Sequence, residues 1–144
     1  MHAEGLALIG ELGLEAIADA GWSAAAVGGL TLGADPVAYA IARASAGTGT
    51  PVHAFTVRKA AKTHGAGRRI EGCFEMGMQV VVVEDVVTTG ASALEATAAV
   101  RAAGGTVLGV LAVVDREEGG RGTIEREGYS VRALVTLGEL LHTP

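Results

Sequence analysis

The run Val80-Val81-Val82-Val83-Glu84-Asp85-Val86-Val87-Thr88-Thr89-Gly90-Ala91-Ser92 constrains this chain more than any other segment. Four consecutive valines read as a strand buried on both faces, the pattern of a parallel sheet covered on each side. Two carboxylates stand at its exit, followed by a short turn of hydroxyls and a glycine. A helix is expected to open at Ser92-Ala93-Leu94-Glu95, with Ser92 as cap and Glu95 closing a capping box. Such a junction aims free backbone N–H groups and the positive end of the helix dipole at the space above the strand tip, which favours an anion.

Glu84 and Asp85 would repel a bare anion. As an isolated pair they could simply end a strand at the solvent edge. Beside a phosphate cradle they suit a phosphorylated sugar, whose vicinal hydroxyls donate to the acids while the phosphate sits in the turn. With its strand, Thr-Thr-Gly turn and helix start together, the stretch resembles the phosphoribosyl-diphosphate motif of type I phosphoribosyltransferases.

The rest of the chain supplies alternating strands and helices. Leu6, Ile9, Gly13, Ile17 and Ala20 lie at helical spacing over residues 4–20, with Gly21 as a stop. Residues 24–28 read as a short buried strand. Asp35-Pro36 is expected to serve as N-cap and first helical residue of a helix to about Ala46. Strands are expected over 52–57, 106–114 and 129–135, and Gly104-Gly105 should end the helix that starts at Ser92. Residues 117–122 read as a polar, glycine-rich loop, and Thr136 with Glu139 opens a closing helix with capping-box spacing. The fold class expected is α/β: one domain over residues 1–144, a central, mainly parallel sheet flanked by helices, and a site at the carboxyl ends of the strands.

Composition narrows the function classes. A net charge of −5 argues against a general nucleic-acid surface. No apolar run reaches membrane-spanning length, and the first Lys or Arg is Arg43, so a secretory signal is not expected. Cys73 is the single cysteine, which fits a reducing compartment, so a cytoplasmic location is expected. His2, His53 and His142 are scattered without the spacing of metal ligands. Cys73, Phe74, Met76 and Met78 are expected to pack near the entrance of the sheet.

Charge placement is the second informative feature. Arg58, Lys59, Lys62, Arg68 and Arg69 follow one another with no acid before Glu71, and His64-Gly65-Ala66-Gly67 adds flexibility. Like charges and glycines oppose stable folding of such a loop on itself. A multiply charged anion would order it, so the segment reads as a lid over diphosphate; the plainer alternative is a solvated surface loop.

The order Arg58-Lys59-x-x-Lys62-x-His64-Gly65, ending in Ile70-Glu71-Gly72, resembles the catalytic loop of orotate phosphoribosyltransferases. Residues 27–36 resemble the diphosphate-side loop of that family, without the lysine that some members carry there, and Val114-Asp115-Arg116-Glu117 resembles the strand end whose arginine holds the orotate carboxylate. The resemblance implies transfer of phosphoribosyl from phosphoribosyl diphosphate to orotate, giving orotidine monophosphate and diphosphate. It implies Mg²⁺ held mainly by substrate and water rather than by direct protein ligands. It further implies a homodimer whose loops reach into the neighbouring site.

By the same resemblance Arg58, Lys59, Lys62 and His64 contact the diphosphate. Glu84 and Asp85 hold the ribose hydroxyls. Val86, Val87, Thr88, Thr89, Gly90, Ala91 and Ser92 wrap the 5-phosphate, and Thr88 and Arg116 orient orotate. Lys62, His64 and Asp85 are the catalytic groups it points to. Family members usually begin with a few tens of residues forming a hood over the base. Met1-His2-Ala3-Glu4-Gly5 already reads as the start of the first core helix, so an open base subsite is expected. Two other functions fit the phosphate nest: transfer to a different base, and a non-catalytic sensor of phosphoribosyl diphosphate.

Overall fold

The computed structural model describes residues 2–59 and 69–142. Lys62, His64 and Arg68 lie outside the described residues. In chain order the elements are α1 (Ala3–Asp19), β1 (Ala26–Leu30), α2 (Ala34–Ser45), β2 (His53–Val57), β3 (Ile70–Gly72), β4 (Gln79–Val87), α3 (Ala91–Ala102), β5 (Thr106–Asp115), α4 (Gly120–Arg126), β6 (Val131–Thr136) and α5 (Leu137–Leu141). The strands form one sheet in the order β3-β2-β1-β4-β5-β6. Every pairing is parallel except β2 with β3.

The valine run sits at the centre of this sheet, which is why it has no polar residue for four positions. Successive strand residues face opposite sides. Val80 and Val82 pack with Ala93, Ala96, Val100 and Ile124 under α3 and α4. Val81 and Val83 pack with Ile17, Val37, Ile41 and Leu111 under α1 and α2. With few aromatics available, close approach replaces bulk. A Cβ on Gly28 would lie 2.2 Å from the Phe55 carbonyl oxygen, and one on Gly29 would lie 2.1 Å from that of Val83. Bare backbone at both positions lets β1 sit between β2 and β4.

Several local expectations need correction. β4 does not stop before the carboxylates but runs through Val87, pairing Glu84 with Ala112 and Val87 with Asp115. The chain therefore turns only at residues 88–90. α2 begins at Ala34 with Gly33 as its N-cap and no side-chain cap. The Asp35 carboxylate is drawn off to the hydroxyls of Thr31 and Thr56, each donating over 2.8 Å. α3 begins one residue before Ser92, after Gly90 at φ 84°, again without a side-chain cap. Glu95 accepts from Arg69 Nη2 at 2.6 Å instead of closing a capping box.

Residues 117–122 are not wholly loop. α4 starts at Gly120 because the buried Ile124 anchors its single apolar position in the core. The short strand β3 was not expected either, since it exists only through its antiparallel pairing with β2. Cys73 is exposed and Met76 is 83% exposed, whereas Phe74 and Met78 do pack against the core. The capping box of Thr136 and Glu139 is formed as expected.

Candidate active site

In an open parallel sheet, ligands bind beyond the carboxyl ends of the strands, where the strand order reverses. Here that point lies between β1 and β4, whose chains continue to opposite sides. Three features line up along this edge. A cationic cavity stands above β1 and β2, the acid pair and the Thr-Thr-Gly turn stand above β4, and an arginine stands above β5.

The cavity has a volume of about 470 Å³ and is lined by Thr31, Leu32, Thr56, Arg58, Lys59 and Glu71. Its walls are pinned from behind. Asp35 holds both threonine hydroxyls, and the Thr31–Leu32 peptide beside it is cis. Arg58 Nη1 lies 3.1 Å from Glu71. Arg69 donates from Nε and Nη2 to the Arg58 carbonyl and from Nη2 to Glu95, tying the foot of the cationic segment to the first turns of α3. Arg58 and Lys59 are thus brought to the site, while Arg69 is spent on structure. The Lys62 and His64 assignments fall on residues outside those described.

Above β4 the two acids are not equivalent. Glu84 continues the row of Val80 and Val82 and is only 7% exposed, whereas Asp85 is exposed. Burial, and then the neighbouring Asp85 charge, push the Glu84 carboxyl up from 4.5 to about 7. Among the described residues nothing donates a hydrogen bond to it. Asp85 accepts from the Val86 amide at 2.9 Å. Its carboxylate lies against bare Gly33, where an added Cβ would come within 2.7 Å of either oxygen.

The turn that follows presents free backbone amides. Gly90 in the left-handed region swings the chain into α3, whose opening amides have no partner within the helix. The Thr89 hydroxyl lies 3.4 Å from the Ala91 amide, and Thr89, Ala91 and Ser92 are exposed. Behind the turn stands a residue that sequence reasoning missed. A Cβ on Gly120 would lie 2.3 Å from the Thr88 carbonyl oxygen and 2.8 Å from the Gly90 amide nitrogen. Backbone packs on backbone there. The only sign in the sequence was a pair of glycines, Gly119 and Gly120, in a stretch read as loop.

Arg116 follows β5 directly, and its amide donates to the Val87 carbonyl at 3.0 Å, which sets it beside Thr88. Its side chain is exposed and pairs with Glu118 at 2.7 Å. The acid pair, the Thr-Thr-Gly turn and Arg116 are thereby brought onto one edge with the cavity. Among the described residues, no three His, Cys, Asp or Glu side chains cluster as metal ligands, and no helix is long and apolar enough to cross a membrane.

No family model matches the chain. Known proteins do. Orotate phosphoribosyltransferase of Mycobacterium avium is 54% identical over 140 residues, which cover 97% of this chain and 75% of that protein. The enzyme of the same name from Aquifex aeolicus is 53% identical over 138 residues, covering 96% and 74%. The crystal structure of the Mycobacterium tuberculosis orotate phosphoribosyltransferase in complex with 5-phospho-α-D-ribosyl 1-diphosphate superposes with a TM-score of 0.85 at 49% identity. It covers 96% of this chain and 77% of that one. With half of its residues shared across nearly its whole length, and the same fold, the chain belongs to the orotate phosphoribosyltransferase family.

Proposed function

We propose that the protein transfers the phosphoribosyl group of 5-phosphoribosyl 1-diphosphate to orotate, releasing diphosphate and forming orotidine 5′-monophosphate, a step of pyrimidine biosynthesis. The observation that carries this reading is Glu84. A largely buried carboxylate that accepts no hydrogen bond from any described residue is costly to keep ionised, and it is set between the turn at the start of α3 and a cationic cavity. A ribose diol supplies the missing donors while its 5-phosphate fills the turn and its diphosphate reaches the cavity.

In this reading the bond from the anomeric carbon to the diphosphate oxygen breaks as positive charge gathers on the sugar. Arg58 and Lys59, joined by Lys62 and His64, stabilise the leaving diphosphate electrostatically. Glu84 and Asp85 fix the ribose, and residues 86–92 hold the 5-phosphate. Thr88 and Arg116 orient orotate, the planar guanidinium binding its carboxylate through two parallel hydrogen bonds. The ring nitrogen of orotate then forms the new bond to the anomeric carbon as its N–H proton leaves to water or to the departing diphosphate.

The donor set fits Mg²⁺ held chiefly by substrate oxygens and water, with the exposed Asp85 available to its waters. When bound, the ion neutralises charge on the diphosphate. The family resemblance supports a cytoplasmic homodimer in which the cationic segment is shared between sites. Equilibrium sedimentation tests the dimer.

The test of the reaction is diphosphate release with Mg²⁺ and orotate, run beside uracil and a panel of purine bases. Turnover with orotate alone is expected. Turnover with a purine base but not with orotate would overturn the substrate. Binding of the sugar diphosphate without turnover on any base would favour a sensor.

A further inference from the structure

Arg116 is exposed, on the short connection 116–119 between β5 and α4. A connection of this kind ordinarily samples many conformations. This one is tethered on three sides. The Arg116 amide donates to the Val87 carbonyl at 3.0 Å. The Glu117 amide donates to Asp115 Oδ1 at 2.9 Å. The Glu117 side chain reaches away to α5, where its Oε2 accepts from the Gly138 amide at 2.8 Å.

The tethers themselves are supported. Asp115 is only 3% exposed, and its second oxygen accepts from Arg121 Nε at 2.9 Å. Arg121 Nη1 goes on to the Val131 carbonyl at 3.0 Å, at the start of β6. One guanidinium therefore fixes a buried carboxylate and the next strand together. Glu117 is the single non-glycine residue at positive φ among those described, at 60°. A non-glycine residue held in that region signals that its surroundings impose the conformation.

None of these contacts is used by the chemistry proposed above. We propose that Arg121, acting through Asp115, and Glu117, acting through α5, are positioning residues for the base side of the site. They fix the backbone from which Arg116 projects, and so set the affinity for the carboxylate of the base without touching either substrate. The inference rests on the assignment of Arg116 to the base side. Its physical content is preorganisation: where the competent conformation is populated only fractionally, apparent affinity falls by that fraction.

Glu117→Ala and Arg121→Met test this, with Glu117→Gln as the conservative control, since its amide oxygen still accepts from Gly138. Hydrogen exchange at the amides of Arg116 and Glu117 reads the tethers directly. Steady-state kinetics and calorimetry read KM for orotate against Kd for the sugar diphosphate. In Glu117→Ala and Arg121→Met the two amides should exchange faster. KM for orotate should rise about tenfold, as for a competent fraction reduced to a tenth, with Kd for the sugar diphosphate unchanged. Glu117→Gln should stay near wild type.

Exposed Glu117 can be replaced without loss of core, so the Glu117→Ala arm stands even where Arg121→Met fails to fold. Wild-type exchange in Glu117→Ala, or equal weakening toward both substrates, overturns the inference. A wild-type protein that does not use orotate overturns the proposed function instead, and the exchange measurement still decides whether the tethers hold the connection.

Discussion

Replacing Glu84 by glutamine should make the ligand-free protein more stable relative to wild type as pH rises. The carboxyl stands at about 7 in the folded chain against 4.5 when solvated, mainly through burial. Below pH 4.5 both states are protonated and the residue carries no penalty. Between 4.5 and 7 the folded state retains a proton that the unfolded state releases, so wild-type stability falls as pH rises. Above 7 the penalty is complete and constant. At about 1.4 kcal/mol for each pH unit of displacement, the full penalty is about 3 kcal/mol. About 2–3 kcal/mol of it develops between roughly pH 5 and 8. Glutamine does not titrate, and any cost of its own unpaired amide is the same at every pH. The difference between the two proteins should therefore swing toward the variant by that amount. Urea unfolding of both at a series of pH values measures it, and the melting temperatures should diverge by about 10 °C across the window. A difference that stays flat with pH, or that moves in favour of wild type, would refute the reasoning.

The same carboxyl predicts how ligand binding couples to protons. Hydroxyls that donate to Glu84 favour its charged form and lower its pKa. Binding of phosphoribosyl diphosphate near pH 7 should release a proton, and affinity should strengthen from about pH 6 to 8. Calorimetry in two buffers of different ionisation enthalpy counts that proton, and Glu84→Gln should abolish it.

Arg116→Ala should raise KM for orotate about 10- to 100-fold, as expected for losing a charged hydrogen bond of about 1.5–3 kcal/mol, with little change in sugar-diphosphate binding by calorimetry. Glu118→Gln should do the opposite on a smaller scale. It frees Arg116 from a half-exposed ion pair worth about 0.5–1 kcal/mol, so orotate affinity should improve a few-fold; a loss would mean that Glu118 orients Arg116 rather than competing for it. Gly120→Ala must displace backbone of the 88–90 turn, since an added Cβ would meet the Thr88 carbonyl oxygen at 2.3 Å and the Gly90 amide nitrogen at 2.8 Å, besides Val87 Cγ1 at 2.7 Å. A destabilisation of about 1–3 kcal/mol should appear in melting, together with weaker binding of the 5-phosphate.

The parts of the fold that were legible in the sequence are those whose signal is local. Val80–Val83 could belong only to a central strand, and the Thr-Thr-Gly turn marked the passage from that strand into a helix without tertiary information. Features settled by distant contacts were not legible. β3 is three residues long and is a strand only because β2 lies beside it. Asp35 and Glu95 both carry good capping chemistry, yet Thr31, Thr56 and Arg69 offer their carboxylates stronger partners than a helix amide. Adjacent acids look alike in sequence, and only the tertiary cover at the tip of β4 makes Glu84 7% exposed while Asp85 stands in solvent. Arg121 read as one more charge in a polar loop, because its worth depends on Asp115 and Val131 meeting it from two strands.

A chain of this size has only about 5–15 kcal/mol of net stability, so the cost of an unpaired Glu84 is a sizeable share of it. Three departures from a locally favourable arrangement lie on the carboxyl edge: the buried acid, Glu117 at positive φ, and the backbone crowding between Gly90 and Gly120. The faces of the sheet and of the helices that meet beneath it are, by contrast, mostly apolar and buried. That distribution is what a site of fixed groups requires. Glu84 is held in place by β4, which is paired through it to β5, and Val82 and Val83 before it are fully buried. A carboxylate on a mobile loop would hydrate itself and lose its grip on a diol. In the proposed reaction a carboxylate held by the strand meets a diol without first being repositioned, and the rigidity of the valine core would then serve selectivity for the sugar.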